Sequence, residues 1–213
     1  MTMNQFGKFF GAVLAGLMIS FGAHAGMITT EGLEPWEICG LCHNLDGISA
    51  MPKFPKLAGQ RPAYIVKQFH DFHDMRREND SGQMQAITTE IDLDDLDEIA
   101  AYFSALPAPP PIAEDDELAV DRGKKLFENG GGDVPACAGC HDVGTVEGLD
   151  TPAPWLQAQH RDYLIKELTD FQAGRRQNDP LGIMQHIAGQ LADEEIVALA
   201  RYLASTERPQ KEQ

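Results

Sequence analysis

"EICGLCHNLDG", residues 37–47, sets a histidine directly behind a Cys-x-x-Cys pair, and "PACAGCHDVG", residues 135–144, does so again. The two segments hold all four cysteines of the 213-residue chain: Cys39, Cys42, Cys137 and Cys140. The repetition spreads outward from them. "PKLAGQRPAYIVKQFHDF" at 55–72 lies over "PWLQAQHRDYLIKELTDF" at 154–171, and "RRENDSGQMQAI" at 76–87 over "RRQNDPLGIMQHI" at 175–187, with one residue inserted. From Met84 and Met184 onward the copies run without a gap to Leu106 and Thr206. Self-similarity on this scale marks a duplicated unit, so the chain folds as two modules in tandem.

The first module spans 26–106 and the second 118–206, with a polar tail at 207–213. Between them, "PAPPPIAEDDE" at 107–117 reads as an extended, semi-rigid linker, because its prolines cannot continue a helix and its acids form a solvated run. Each module is helical. Ile65, Phe69 and Phe72 fall at helical spacing, as do Leu164, Leu168 and Phe171. Leu96, Ile99, Ala100 and Phe103 form a second stripe, matched by Ile196, Leu199, Ala200 and Leu203. Asp92 with Asp95 is placed to cap the last helix of module one, whereas module two offers Ala192 and, less well, Asp193. A further helix at about 116–129 precedes the second motif and stops at "NGGGD". The first motif has little chain before it, so its opening helix is short. No alternating strand pattern competes, and the fold class is all-α.

A bare Cys-x-x-Cys suits a thiol–disulfide redox pair, but that chemistry belongs in a strand-rich βαβ setting, which the sequence lacks. A zinc site needs four ligands gathered together, and each motif supplies three. The adjacent histidine points instead to c-type haem attachment. Cysteines at this spacing reach the two vinyl groups along one haem edge, and the histidine then meets the iron as proximal ligand. The reading is two covalently bound haem c groups, one on Cys39, Cys42 and His43 and one on Cys137, Cys140 and His141.

The opposite iron position suits a sulfur or nitrogen donor. Met184 is the only methionine after residue 84, and Met84 is its counterpart in module one. Met51 and Met75 are weaker candidates there, as are His70 and His73, which face Thr169 and Gln172 in module two. The proximal histidines need a carbonyl for the other ring nitrogen; Pro52 or Pro55, and Pro152 or Pro154, are placed to present it. Tyr64, Tyr163, Trp155, Arg76–Arg77 and Arg175–Arg176 are candidates for haem propionates, with surface ion pairs the competing use for the arginines.

Residues 1–25 carry one lysine, a short apolar run and "AHA", the pattern of a signal peptide cleaved after Ala25. The run is too short for a stable membrane anchor, and no other long apolar stretch follows, so no transmembrane segment is expected in the mature chain. The formal net charge of −16 excludes nucleic acid and anionic lipid as partners and favours a protein with a basic docking face.

With these residues in place the chain resembles the cytochrome c4 family, di-haem carriers built from two class I cytochrome c folds. The likeness rests on "CGLCH" and "CAGCH", on "FPKLAGQRPAY" with its echo "APWLQAQHRDY", on the "RRxND" segments leading to Met84 and Met184, and on the closing helices "LDEIAAYFSAL" and "EIVALARYLAS". It implies His43, Met84, His141 and Met184 as axial ligands, no catalytic residues, and single-electron transfer in the periplasm, often toward a terminal oxidase. Asn44 and Asp142 depart from the glycine the family often has after the histidine, and "LAGQ" becomes "LQAQ" in module two. Related di-haem subunits serve flavocytochrome c sulfide dehydrogenases, which makes a dehydrogenase subunit the alternative. A di-haem peroxidase is less favoured, since it needs an open iron and both modules offer methionine.

Overall fold

The computed structural model describes residues 32–143 and 153–208. The expected signal peptide, and most of the polar tail, lie outside these residues. Among the described residues the structure is helical, its only β feature being an isolated bridge between Gly131 and Val134. No described helix is long and apolar enough to cross a membrane.

Module one comprises α1 (Pro35–His43), α2 (Pro62–His73), α3 (Gln83–Thr88) and α4 (Leu96–Ala105). Module two comprises α5 (Glu117–Asn129), α6 (Ala138–His141), α7 (Arg161–Gln172), α8 (Ile183–Ala188) and α9 (Asp193–Ser205). The expected stripes face inward. Ile65, Phe69, Leu96, Ile99 and Phe103 close one core, and Leu126, Phe127, Leu164, Ile196 and Leu203 close the other. Burial of each such side chain contributes about 1.5–3 kcal/mol, so these stripes and not helix propensity hold the short elements in place.

The modules open differently. In module one, α1 is itself the Cys-x-x-Cys-His segment, nine residues long, and Trp36 stacks on Tyr102 of α4 with ring centroids 5.0 Å apart. Module two adds the separate helix α5, which crosses α9 closely at Gly123. A Cβ built there would stand 2.1 Å from the Ala198 carbonyl oxygen, so only glycine allows the crossing. Helix α5 stops as expected, at Gly130 with φ 70°.

Two capping expectations need correction. Asp92 accepts from the Asp94 N–H at 3.0 Å and caps the short turn ahead of α4, but Asp95 makes no cap bond. At α9 the substitute for a cap is Glu195, not Asp193: its carboxylate reaches back to the Ala192 N–H at 2.9 Å. The linker also differs from a freely solvated run. The Ile112 N–H donates to the Ala204 carbonyl at 2.8 Å, and Glu114 is buried between Arg161 and Arg201 of module two.

The modules meet across a polar, pseudo-two-fold interface. The Gln60 side chain accepts from the Trp155 N–H and donates to its carbonyl, both at 2.9 Å. Gln159 does the same to the backbone of Lys56, at 2.8 and 3.0 Å. Arg77 donates to the Tyr163 hydroxyl, and Arg176 returns the contact to Tyr64. Arg208 lies between the halves and donates to the Ala58 and Gln157 carbonyls, which are equivalent residues of the two modules.

Candidate functional site

Helix α1 begins with Pro35 and with Glu37 capping the Glu34 N–H at 2.8 Å, and it ends on His43. Cys39 and Cys42, one turn apart, stand on that helix, Cys39 half-buried and Cys42 exposed. In module two the turn is tighter: Cys137 starts a single helical turn that ends on His141. Both histidines are buried, and each turns Nδ1 toward a proline carbonyl at 2.8 Å: His43 to Pro55 and His141 to Pro154. A carbonyl can only accept, so Nδ1 carries the hydrogen and Nε2 keeps its lone pair. Burial pushes the imidazolium form of His43 down, and that of His141 down to about 4, the carbonyl bonds offsetting part of the effect. Both rings are therefore neutral at neutral pH, as a metal ligand must be.

Of the proline pairs considered, Pro55 and Pro154 are the acceptors. Pro52 is exposed, and Pro152 lies outside the described residues. Burial raises the Cys39 and Cys137 thiols to about 11, the opposite of the depressed thiol that a redox Cys-x-x-Cys requires.

Met84 and Met184 occupy matched positions, at the second residue of α3 and α8, and both are half-buried. Each N–H is bound by an aspartate at 2.6 Å, Met84 by Asp80 and Met184 by Asp179. In each copy two residues with left-handed backbone lead in, Ser81–Gly82 and Leu181–Gly182. The inserted residue, Pro180, is therefore absorbed ahead of the turn and does not change how the methionine is presented. Met51 is 56% exposed and Met75 60%, so both stand at the surface. His70 and His73 are half-buried, and His73 pairs with Asp74 at 2.8 Å. Asp80 and Asp179 were not singled out from sequence, although both end the "RRxND" segments.

The arginine pairs split. Arg76 and Arg175 lie at the surface against Asp71 and Asp170, as ion pairs do. Arg77 and Arg176 are instead buried at the module interface, correcting the surface reading for these two. Both bind one oxygen of Glu167, at 2.9 and 2.7 Å. Burial alone would raise that carboxyl, but Arg77 and Arg176, with Lys166 and the hydrogen bond from Asn79, together outweigh it and hold Glu167 down to about 2. Tyr64 and Tyr163 are the hydroxyl partners of these arginines, and the Trp155 ring lies 4.0 Å from the Arg61 guanidinium carbon.

A family model described as cytochrome c matches residues 120–207. Cytochrome c4 of Pseudomonas aeruginosa is 37% identical over 90% of this chain and 96% of its own length. The chain belongs to the cytochrome c4 family. The crystal structure of reduced recombinant cytochrome c4 from Pseudomonas stutzeri superposes with a TM-score of 0.69 at 36% identity, covering 80% of this chain and 94% of that one. The thiosulfate dehydrogenase electron acceptor of Stutzerimonas stutzeri is 34% identical over 91% of this chain and 93% of its own length. As a member of this family the chain carries two covalently bound haem c groups and is an electron carrier, not an enzyme. The donor set fits that cofactor: in each half stand two thiols one turn apart, a neutral buried imidazole with its Nε2 lone pair available, and a thioether in the first turn of a short helix.

Proposed function

We propose that Cys39 and Cys42 hold the first haem and Cys137 and Cys140 the second, that His43 and His141 are the proximal ligands, and that Met84 and Met184 close the opposite position. The observation that carries this reading is the match between halves: the same histidine-to-proline bond and the same aspartate-to-methionine N–H bond occur in each. A haem iron bound by histidine and methionine supplies a one-electron couple of raised potential with no free coordination position. Pro55 and Pro154 fix the imidazole planes, and Asp80 and Asp179 hold the first turn of each methionine helix.

The chain acts after export to the periplasm as a relay between redox proteins, toward a terminal oxidase. Its acidic surface, with net charge −16, favours partners that present a basic face. A second reading, as the electron-accepting partner of a dehydrogenase, is favoured by the likeness to the thiosulfate dehydrogenase electron acceptor. Purification from the native source separates the two: the relay elutes alone, the subunit with its enzyme.

The test of the ligands is an absorption spectrum of the oxidised holoprotein, followed by carbon monoxide on the reduced form. The weak long-wavelength methionine band is expected from both haems, with no gas bound. Met184→Ala and Met84→Ala should each remove about half of that band and open one haem to the gas. A variant that leaves band and gas binding unchanged overturns the assignment in its module.

A further inference from the structure

Arg61 belongs to module one but does its bonding in module two. It is 6% exposed, and its guanidinium donates to the carbonyl of Ala153 at 2.5 Å, to that of His141 at 3.3 Å, and to that of Val143. Its other side lies on the Trp155 ring, 4.0 Å from the centroid. These carbonyls flank the segment between His141 and Pro154, so one side chain ties together the backbone of the histidine and the backbone beside its acceptor. A planar fork with several donors suits this task and an ammonium does not.

The matched residue, His160, performs the reciprocal task on module one. Its Nε2–H is shared by the Ser49 carbonyl and hydroxyl, both at 2.9 Å, while that hydroxyl donates to the Phe54 carbonyl. Each module thus clamps the segment that joins the other's histidine to its proline. The clamps differ in charge. Burial and the nearby Lys56 lower the pKa of His160, so its ring is neutral at neutral pH, whereas Arg61 remains a cation.

We propose that Arg61 is a positioning residue for the second haem, fixing the His141–Pro154 pair from the opposite module and raising the one-electron potential of that haem through its charge. A buried cation beside the proximal histidine disfavours the more positive ferric state. Asp142 lies close enough to favour the guanidinium charge, and Arg208 is a second cation nearby. The clamp built on the neutral His160 carries no charge of its own; the cation beside it, Lys56, turns its ammonium to the Ala158 carbonyl of the other module.

This inference rests on His141 and Met184 being ligands of the second haem. The test is therefore a spectroelectrochemical titration of the holoprotein with three variants. Met184→His identifies the wave of the second haem by lowering it; if neither wave moves, the ligand assignment falls, and not the role of Arg61. Arg61→Gln should then lower that wave by about tenfold in the ferrous-to-ferric ratio, about 59 mV for a one-electron couple, with the first wave unchanged. Arg61→His puts module two's own residue at the matched place and keeps a hydrogen-bonding ring in the gap. In mildly alkaline buffer it should lower the same wave. An unmoved second wave in both variants overturns the proposal. So does an equal fall of both waves, which would make Arg61 only a fastener between the modules.

Discussion

Replacing Glu167 by glutamine removes the carboxylate that binds Arg77 and Arg176 in the buried interface. The structure sets the size of the loss. The carboxyl falls from 4.5 to about 2, and at about 1.4 kcal/mol per pH unit this corresponds to about 3–4 kcal/mol of stabilisation. Breaking a buried ion pair from one side costs about 3–5 kcal/mol in general, which agrees. The sign follows from the depressed value: the contribution is complete above pH 4.5 and is lost as the pH falls toward 2. Guanidinium unfolding of the holoprotein, followed by circular dichroism from neutral pH into acid, should show Glu167→Gln losing about 3–4 kcal/mol at neutral pH. It should also weaken the acid limb, leaving the share carried by Asp71 and Asp170, whose carboxyls are held low as well. Gln68 accepts from the same two arginines, at 2.7 and 3.1 Å. The double variant Gln68→Glu with Glu167→Gln therefore returns a carboxylate to them and should recover most of the loss. A loss below about 1 kcal/mol, or an acid limb as steep as the parent's, refutes the argument.

Two further outcomes are expected. Ala158 holds φ 57° where module one has Gly59 at φ 63°, and left-handed backbone costs a residue with a Cβ about 1–2 kcal/mol, more than the extra freedom of glycine in the unfolded chain. Ala158→Gly should thus stabilise the protein by about 0.5–1 kcal/mol in thermal unfolding, and destabilisation would contradict the strain. In stopped-flow kinetics, electron transfer with a basic partner should slow as salt rises; a flat profile would remove charge steering.

The repeat, the helical stripes and the cysteine–histidine motifs could be taken from sequence because each has a periodic or fixed-spacing signature. The choice between Pro55 and Pro52 could not, since any loop proline offers a carbonyl and only the fold says which one meets His43. The interface was legible least. Lys56, Gln60, Arg61, Gln159 and His160 are polar residues buried by the partner module. Burial of that kind leaves no apolar stripe, because satisfied polar groups at a contact look like surface in the sequence. The only trace was the repeat itself: "RRxND" and the closing glutamine of "LAGQ" and "LQAQ" persist in both copies, and Gln60, Gln159, Arg77 and Arg176 each reach across to the opposite module. For Glu114 the acidic run misled, since one acid of the run turns in toward Arg161 and Arg201 while Asp115 stays in solvent.

Because the glutamine and arginine–tyrosine contacts are exchanged between equivalent residues, the joining surface repeats the pattern of an isologous dimer. The two faces are matched but not identical, since Glu167 stands where module one has Gln68 and His160 where it has Arg61, so each face is fitted to the other module. The ten residues or so of connecting chain do not have to create the contact. They hold the two faces at an effective concentration in the millimolar range, where a face too polar to bind firmly in free solution stays closed.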